Sequence, residues 1–323
     1  MLTPILKTPT LIGFVLAYAI CTVLLVVTFL FHPHSGMQTE MLLSHWAFGW
    51  IENQHVLLTV LTLALIALVT VVSRLRPGET KQPFGSSNVS MIVMSAILLT
   101  QSYTVFARPD VMATATITLV MFLLMLSTYK REATLTEVFH VGLFLGLSSL
   151  FVGQAIFLLL PIGFSILILR AGSWKEWLVL FLGIGMCGVF LLLFAVWNDA
   201  PLLEFKRVIQ SAWTDNFGKA KPNSGHLMLV VGLIAAIVGL FGSLTVGTVT
   251  ERNVTLTNLA WLVGIILMVI LLGLGWQNGL VLAAFPLSVS ITRTIERFQR
   301  WWLADLVLLA IISAPIVRIL WQT

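Results

Sequence analysis

The 323-residue chain predicts an all-α fold, a polytopic transmembrane helix bundle of about ten or eleven helices. Hydrophobic residues make up 59% of it and charged residues 10%, too little polar sequence to cover a water-soluble surface. The mean hydropathy is +1.02. The apolar residues also gather in runs of about 17–22, the length a helix needs to cross a bilayer. The charges lie in the joints between the runs and follow a sign rule.

The runs place spans near 11–31, 55–73, 89–106, 110–128, 137–152, 155–170, 176–197, 227–249, 256–274, 277–292 and 303–321. Leu11 to Phe31 carries no charge and ends without a small-residue cleavage site, so it reads as a retained span and not as a signal peptide. The fifth and sixth runs are short. They fit either two spans or one kinked or re-entrant unit bending at Gly153 and Gln154. The expected domain is a single one, 1–323, with a first part over 1–180, a polar segment over 198–226 and closing spans over 227–323. No internal repeat is evident.

With the amino terminus in the cytoplasm, Lys7, Arg74, Arg76, Lys81, Lys130, Arg131, Arg170, Lys175, Arg252, Arg293, Arg297 and Arg300 fall inside. Arg108, Lys206, Arg207, Lys219, Lys221 and Arg318 fall outside. Twelve against six favours that orientation. The net charge of +5 follows from this topology, since the basic residues sit at span ends and form no continuous patch, and nucleic acid is excluded as a partner.

The far side receives the two longest polar segments, 32–54 and 198–226. Met37 to Ile51 places Met41, Leu42, His45, Trp46, Phe48 and Trp50 at helical spacing, with Glu40, Ser44 and Glu52 between or beside them. Pro201 to Trp213 sets Leu202, Phe205, Ile209 and Trp213 against Lys206, Arg207 and Gln210. Both segments predict interfacial amphipathic helices, over about 37–51 and 201–213.

Glu40 and Glu52 are the candidate catalytic acids of the first loop, able to deprotonate an acceptor hydroxyl at the membrane surface, or else the wet face of its helix. Arg108-Pro109-Asp110 makes a tight far-side turn in which Asp110 is placed either to cap the outgoing helix or to face the glutamates while Arg108 meets a phosphate. Lys206 and Arg207 are candidates for the same phosphate. His32, His34, His45 and His55 fit no zinc-ligand spacing, so no metal or other cofactor is expected. Cys21 and Cys187 lie within spans as small packing residues. Arg293, Arg297, Arg300, Trp301 and Trp302 read as a basic and aromatic anchor belt, and Asp305 as an acid capping the last span.

The first span, the acidic far-side loop, the Arg108-Pro109-Asp110 turn and Gly142-Leu-Phe-Leu-Gly146-Leu-Ser-Ser-Leu150 running into Leu160-Pro161 resemble the membrane core of the C-type (GT-C) glycosyltransferases over residues 1–180. That resemblance implies a polyprenyl-phosphate-linked sugar as donor, with Glu40 or Glu52 as base and Asp110 as second acid. Ser173-Trp-Lys-Glu-Trp177 and Trp301-Trp-Leu-Ala-Asp305 are similar to segments of a family of bacterial inner-membrane proteins of unknown function. The function expected is therefore GT-C-like handling of lipid-linked sugar in envelope glycan assembly, by an active or a degenerate member. The alternative is a non-catalytic membrane subunit that scaffolds an envelope assembly or secretion complex. Membrane lipids, the lipid-linked sugar and other envelope proteins are the expected partners.

Overall fold

The computed structural model describes residues 11–31, 89–100, 109–128, 134–170, 172–197, 234, 237, 238, 241, 248–272, 276–297 and 300–322. Among these residues the chain is helical and carries no strand. The helices are α1 Leu11–Phe31, α2 Val89–Thr100, α3 Pro109–Ser127, α4 Leu135–Phe151, a 3-10 helix Gly153–Leu158, α5 Leu159–Arg170, α6 Trp174–Trp197, α7 Val249–Leu272, α8 Trp276–Arg297 and α9 Trp301–Gln322. Among the described residues three stretches, Asp110–Ser127, Val249–Leu271 and Gln277–Arg297, are long and apolar enough to cross a membrane. They mark the chain as a membrane protein. The expected span over 55–73, most of that over 227–249 and both expected interfacial helices lie outside the described residues.

Close contacts fix the directions of the helices. A Cβ on Gly142 would run into the carbonyl of Leu180, one on Gly146 would lie 2.7 Å from Cys187 Cβ, and one on Gly183 would lie 2.5 Å from the carbonyl oxygen of Phe139. Positions thus pair in the same order along both chains, so α4 and α6 run parallel. Parallel helices this close in sequence need a segment of opposite direction between them. The 3-10 helix and α5 supply it, with six and twelve residues. The two short runs over 137–170 are therefore two helical segments of opposite direction, with the bend at Val152, whose φ of −133° and ψ of 105° interrupt the helix.

Two further pairs are antiparallel and one is parallel. Trp261 with Ser165 and Gly264 with Pro161 make α7 antiparallel to α5. Thr255 with Arg293, Asn258 with Ser290 and Gly279 with Val269 make α8 antiparallel to α7. Cys21 with Ser95 and Leu24 with Leu99 make α1 parallel to α2. α3 ends at Ser127 and α4, which packs against it, starts at Leu135, so these two neighbours are antiparallel. The starts of α4, α6, α7 and α9 consequently share one end of the bundle with the ends of α3, α5 and α8.

Three helices that start at this end share one local signal, Ser or Thr followed three residues later by Glu: Thr134 to Glu137, Ser173 to Glu176 and Thr248 to Glu251. At α7 the box is complete, because the Thr248 amide donates to Glu251 Oε2 and the Glu251 amide donates to Thr248 Oγ1, both at 3.3 Å. At α6 the Ser173 amide donates to Glu176 Oε2 at 3.3 Å. At α4 the Thr134 hydroxyl makes no cap bond. Gly172, two residues beyond α5, holds a φ of +51° that lets the chain turn out of that helix.

The apolar hydropathy boundary misplaces two of these helices. The expected span 256–274 begins at Val249, because the capping box and not the last charge sets the start. The span expected to stop at 292 runs on to Arg297. Hydrophobicity ends at the charges; helix propensity does not.

The core centres on α8, where residues 279–290 are buried on every side by α2, α3, α7 and α9. Phe122 of α3 sits edge-on to Trp261 of α7 and Phe285 of α8, with centroids 5.6 and 4.9 Å apart. By contrast α6 seals only one stripe, Leu180, Gly183 and Cys187, against α4, and leaves Phe181, Met186, Val189 and Phe190 exposed.

Candidate functional site

The described charges are distributed unevenly between the ends. Glu137, Arg170, Lys175, Glu176, Glu251, Arg252, Arg293, Glu296, Arg297, Arg300 and Asp305 all lie at the end where α4, α6, α7 and α9 start. Only Asp110 and Arg318 lie at the other. Of the residues expected to form a site, Asp110 is the described one. Glu40, Glu52, Arg108, Lys206 and Arg207 lie outside the described residues.

Asp110 is wholly buried in the first turn of α3. The helix starts one residue before it, at Pro109, a residue pre-shaped for the first helical position. Asp110 is therefore not the cap that the tight turn suggests. Its backbone carbonyl accepts the Thr114 hydroxyl at 2.8 Å, and Thr114 in turn passes its carbonyl to the Thr118 hydroxyl at 2.7 Å. Both threonines are fully buried. Because α3 and α4 are antiparallel neighbours, Ser148 near the end of α4 lies at the same end of the bundle. Its hydroxyl is also fully buried and has no hydrogen-bond partner.

A second polar cluster, which no motif announced, threads the seam between α7 and α8. Asn258 Nδ2 donates to the Pro286 carbonyl at 3.1 Å and to Ser290 Oγ at 2.7 Å, while its Oδ1 is buried without a partner. Pro286 stands inside α8, where it has no amide to offer the preceding turn. Deeper, Trp261 Nε1 donates to Ser165 Oγ at 2.9 Å across to α5. Toward the charged end Arg293 turns into the bundle and donates through Nη1 to the Thr255 hydroxyl.

Arg293 thus leaves the belt expected for it, and Arg297, Arg300 and Trp302 remain exposed there. Asp305 lies beyond the first turn of α9, too far in to cap it. The signal available in the sequence was the spacing of Thr255 and Asn258 against Ser290 and Arg293, visible only once α7 and α8 are known to be antiparallel neighbours.

The model of the family of unknown function DUF6427 matches residues 92–320, most of the chain. The chain belongs to that family. The matched stretch takes in every described helix except α1 and the first turn of α2, including Asp110 and the α7–α8 seam. No curated protein and no solved structure matches this DUF6427 protein.

Proposed function

We propose that this DUF6427 protein is a GT-C-like bacterial inner-membrane protein that handles polyprenyl-phosphate-linked sugar in envelope glycan assembly, with its amino terminus in the cytoplasm. The single observation that carries the reading is Asp110, a fully buried carboxylate at the charge-poor end of the bundle. Ionisable groups within a membrane protein mark functional sites by default, because burying them is costly. In this reading Glu40 or Glu52 takes the proton of the acceptor hydroxyl, Asp110 is the second acid, and Arg108, Lys206 and Arg207 receive the donor phosphate.

The orientation draws support from the described residues alone, where six Lys and Arg positions lie at one end and position 318, also Arg, at the other. The end that carries Asp110 is then the far side.

Glu40→Gln, Glu52→Gln and Asp110→Asn, made one at a time in the native host, are expected to abolish the envelope glycan without lowering the abundance of the protein. If all three keep the glycan at its wild-type level, the enzyme reading is wrong and a non-catalytic scaffold takes its place.

A further inference from the structure

We infer an anion-binding site at the charged end of the α7–α8 seam, formed by Arg252, Arg293 and Thr255 and suited to the phosphate of an anionic phospholipid headgroup. The hydrogen bond from Arg293 to the Thr255 hydroxyl sets the level of the two helices. Arg252 precedes Thr255 by three residues and so shares its helix face one turn nearer the end. Both arginines therefore lie on the same stretch of the seam.

Neither guanidinium has its demands met there by a carboxylate hydrogen bond. Arg252 Nε is buried without a hydrogen-bond partner, and a donor left dry and unpaired is costly. Arg293 Nη1 meets a hydroxyl, which is neutral. The nearest acids have other roles or act at a distance: Glu251 accepts the Thr248 amide in the capping box, and Glu251 and Glu296 reach Arg293 through space, as does the like charge of Arg297. Three arginines against two glutamates leave the seam with an excess positive charge.

An oxyanion with several acceptor oxygens can serve two guanidiniums on one stretch of a seam, which a single carboxylate does less well. The location selects among anions. This end of the bundle carries exposed Arg300 and Trp302, the residue types that sit at headgroup level, where lipid phosphates are the most concentrated anions.

The test uses the purified full-length protein in nanodiscs of phosphatidylcholine alone or doped with phosphatidylglycerol, with thermal melting and native mass spectrometry as readouts. Phosphatidylglycerol is expected to raise the melting temperature and to remain bound. Arg252→Gln and Arg293→Gln should each weaken its apparent affinity about tenfold, the loss of one charge-assisted contact, while Arg300→Gln stays near wild type. If Arg293→Gln fails to fold, Arg252→Gln carries the test. Inorganic phosphate that reproduces the shift in phosphatidylcholine discs would keep the anion site and overturn the lipid as its source. Equal melting in both lipids, or an Arg300→Gln loss as large as that of Arg252→Gln, would overturn the site itself.

Discussion

Replacing Gly183 by alanine puts a methyl group into the tightest seam of the bundle. The new Cβ would lie 2.5 Å from the Phe139 carbonyl oxygen and 2.7 Å from the Leu143 amide nitrogen. Both are backbone atoms of α4, so no rotamer change relieves the clash and the helices have to separate. Separation also stretches the 3.1 Å contact from Cys187 Sγ to the Leu143 carbonyl and loosens dispersion contacts along the stripe. Overpacking of this kind costs about 1–3 kcal/mol. Two glycines of the same helix provide the control, since a Cβ on Gly185 or Gly188 meets nothing within 4 Å. There, alanine should stabilise by about 0.4–1 kcal/mol by restricting the unfolded chain. The variants should therefore differ by about 1.4–4 kcal/mol. The natural reporters are Cys21 and Cys187, free and buried, which become reactive to a thiol dye only as the bundle opens on heating. A Gly183→Ala protein that melts with Gly185→Ala or above it would refute the parallel packing of α4 on α6.

Three further outcomes are expected. Thr248→Ala should cost about 0.5–2 kcal/mol by removing the hydroxyl that accepts the Glu251 amide, and Glu251→Gln should hold more of the cap than Glu251→Ala, both read by the same melting assay. Trp261→Phe should cost about 1 kcal/mol, because the bond to Ser165 is lost while the Ser165 hydroxyl keeps the Pro161 carbonyl at 2.6 Å; Trp261→Ala should cost about 3–5 kcal/mol. Single cysteines at Ser173 and Arg300, in a Cys21→Ser, Cys187→Ser background, should be labelled from the same side of the membrane, and one at Gly36 from the opposite side in intact cells; Ser173 and Arg300 on opposite sides would break the topology.

Hydropathy and charge made the helical class legible because a span is a long, one-sided composition signal, and α1 and α6 begin and end close to where composition changes. The boundaries of α7 and α8 were less legible for a physical reason. Thr250 to Asn253 and Arg293 to Arg297 are polar and yet helical, so a reading that stops at charge stops too soon, whereas the Thr248-x-x-Glu251 pattern carries the true start. The direction of the segment over 153–170 was not legible because eighteen residues of mixed 3-10 and α helix carry no sign of which way they run. Only the glycine contacts between α4 and α6, which are not neighbours in sequence, fix it. The inward turn of Arg293 was hidden for the same reason. Its partner Thr255 is 38 residues away, and a basic residue near two tryptophans reads as a belt until the facing helix is known.

Asp110 was legible as a residue of interest, and magnitudes decide what kind of interest it holds. A first-turn acid gains about 0.3–1 kcal/mol from the helix dipole when exposed, and up to about 2 kcal/mol when partly buried. Taking a carboxylate fully out of water costs several kcal/mol. The dipole alone therefore does not hold Asp110 at zero exposure, and the acid is indeed not without a partner in the structure. The amide variant separates the two accounts. If Asp110 serves only the start of α3, Asp110→Asn removes the charge and its desolvation cost together, so stability shifts by about 1 kcal/mol at most and nothing else changes. If the carboxylate serves a site, the same variant keeps or raises the melting temperature while envelope glycan is lost, because sites keep costly charges for chemistry and not for stability. A variant that unfolds with a loss of about 3–5 kcal/mol would contradict both, and would show that Asp110 is one half of a buried ion pair whose other half has been stranded.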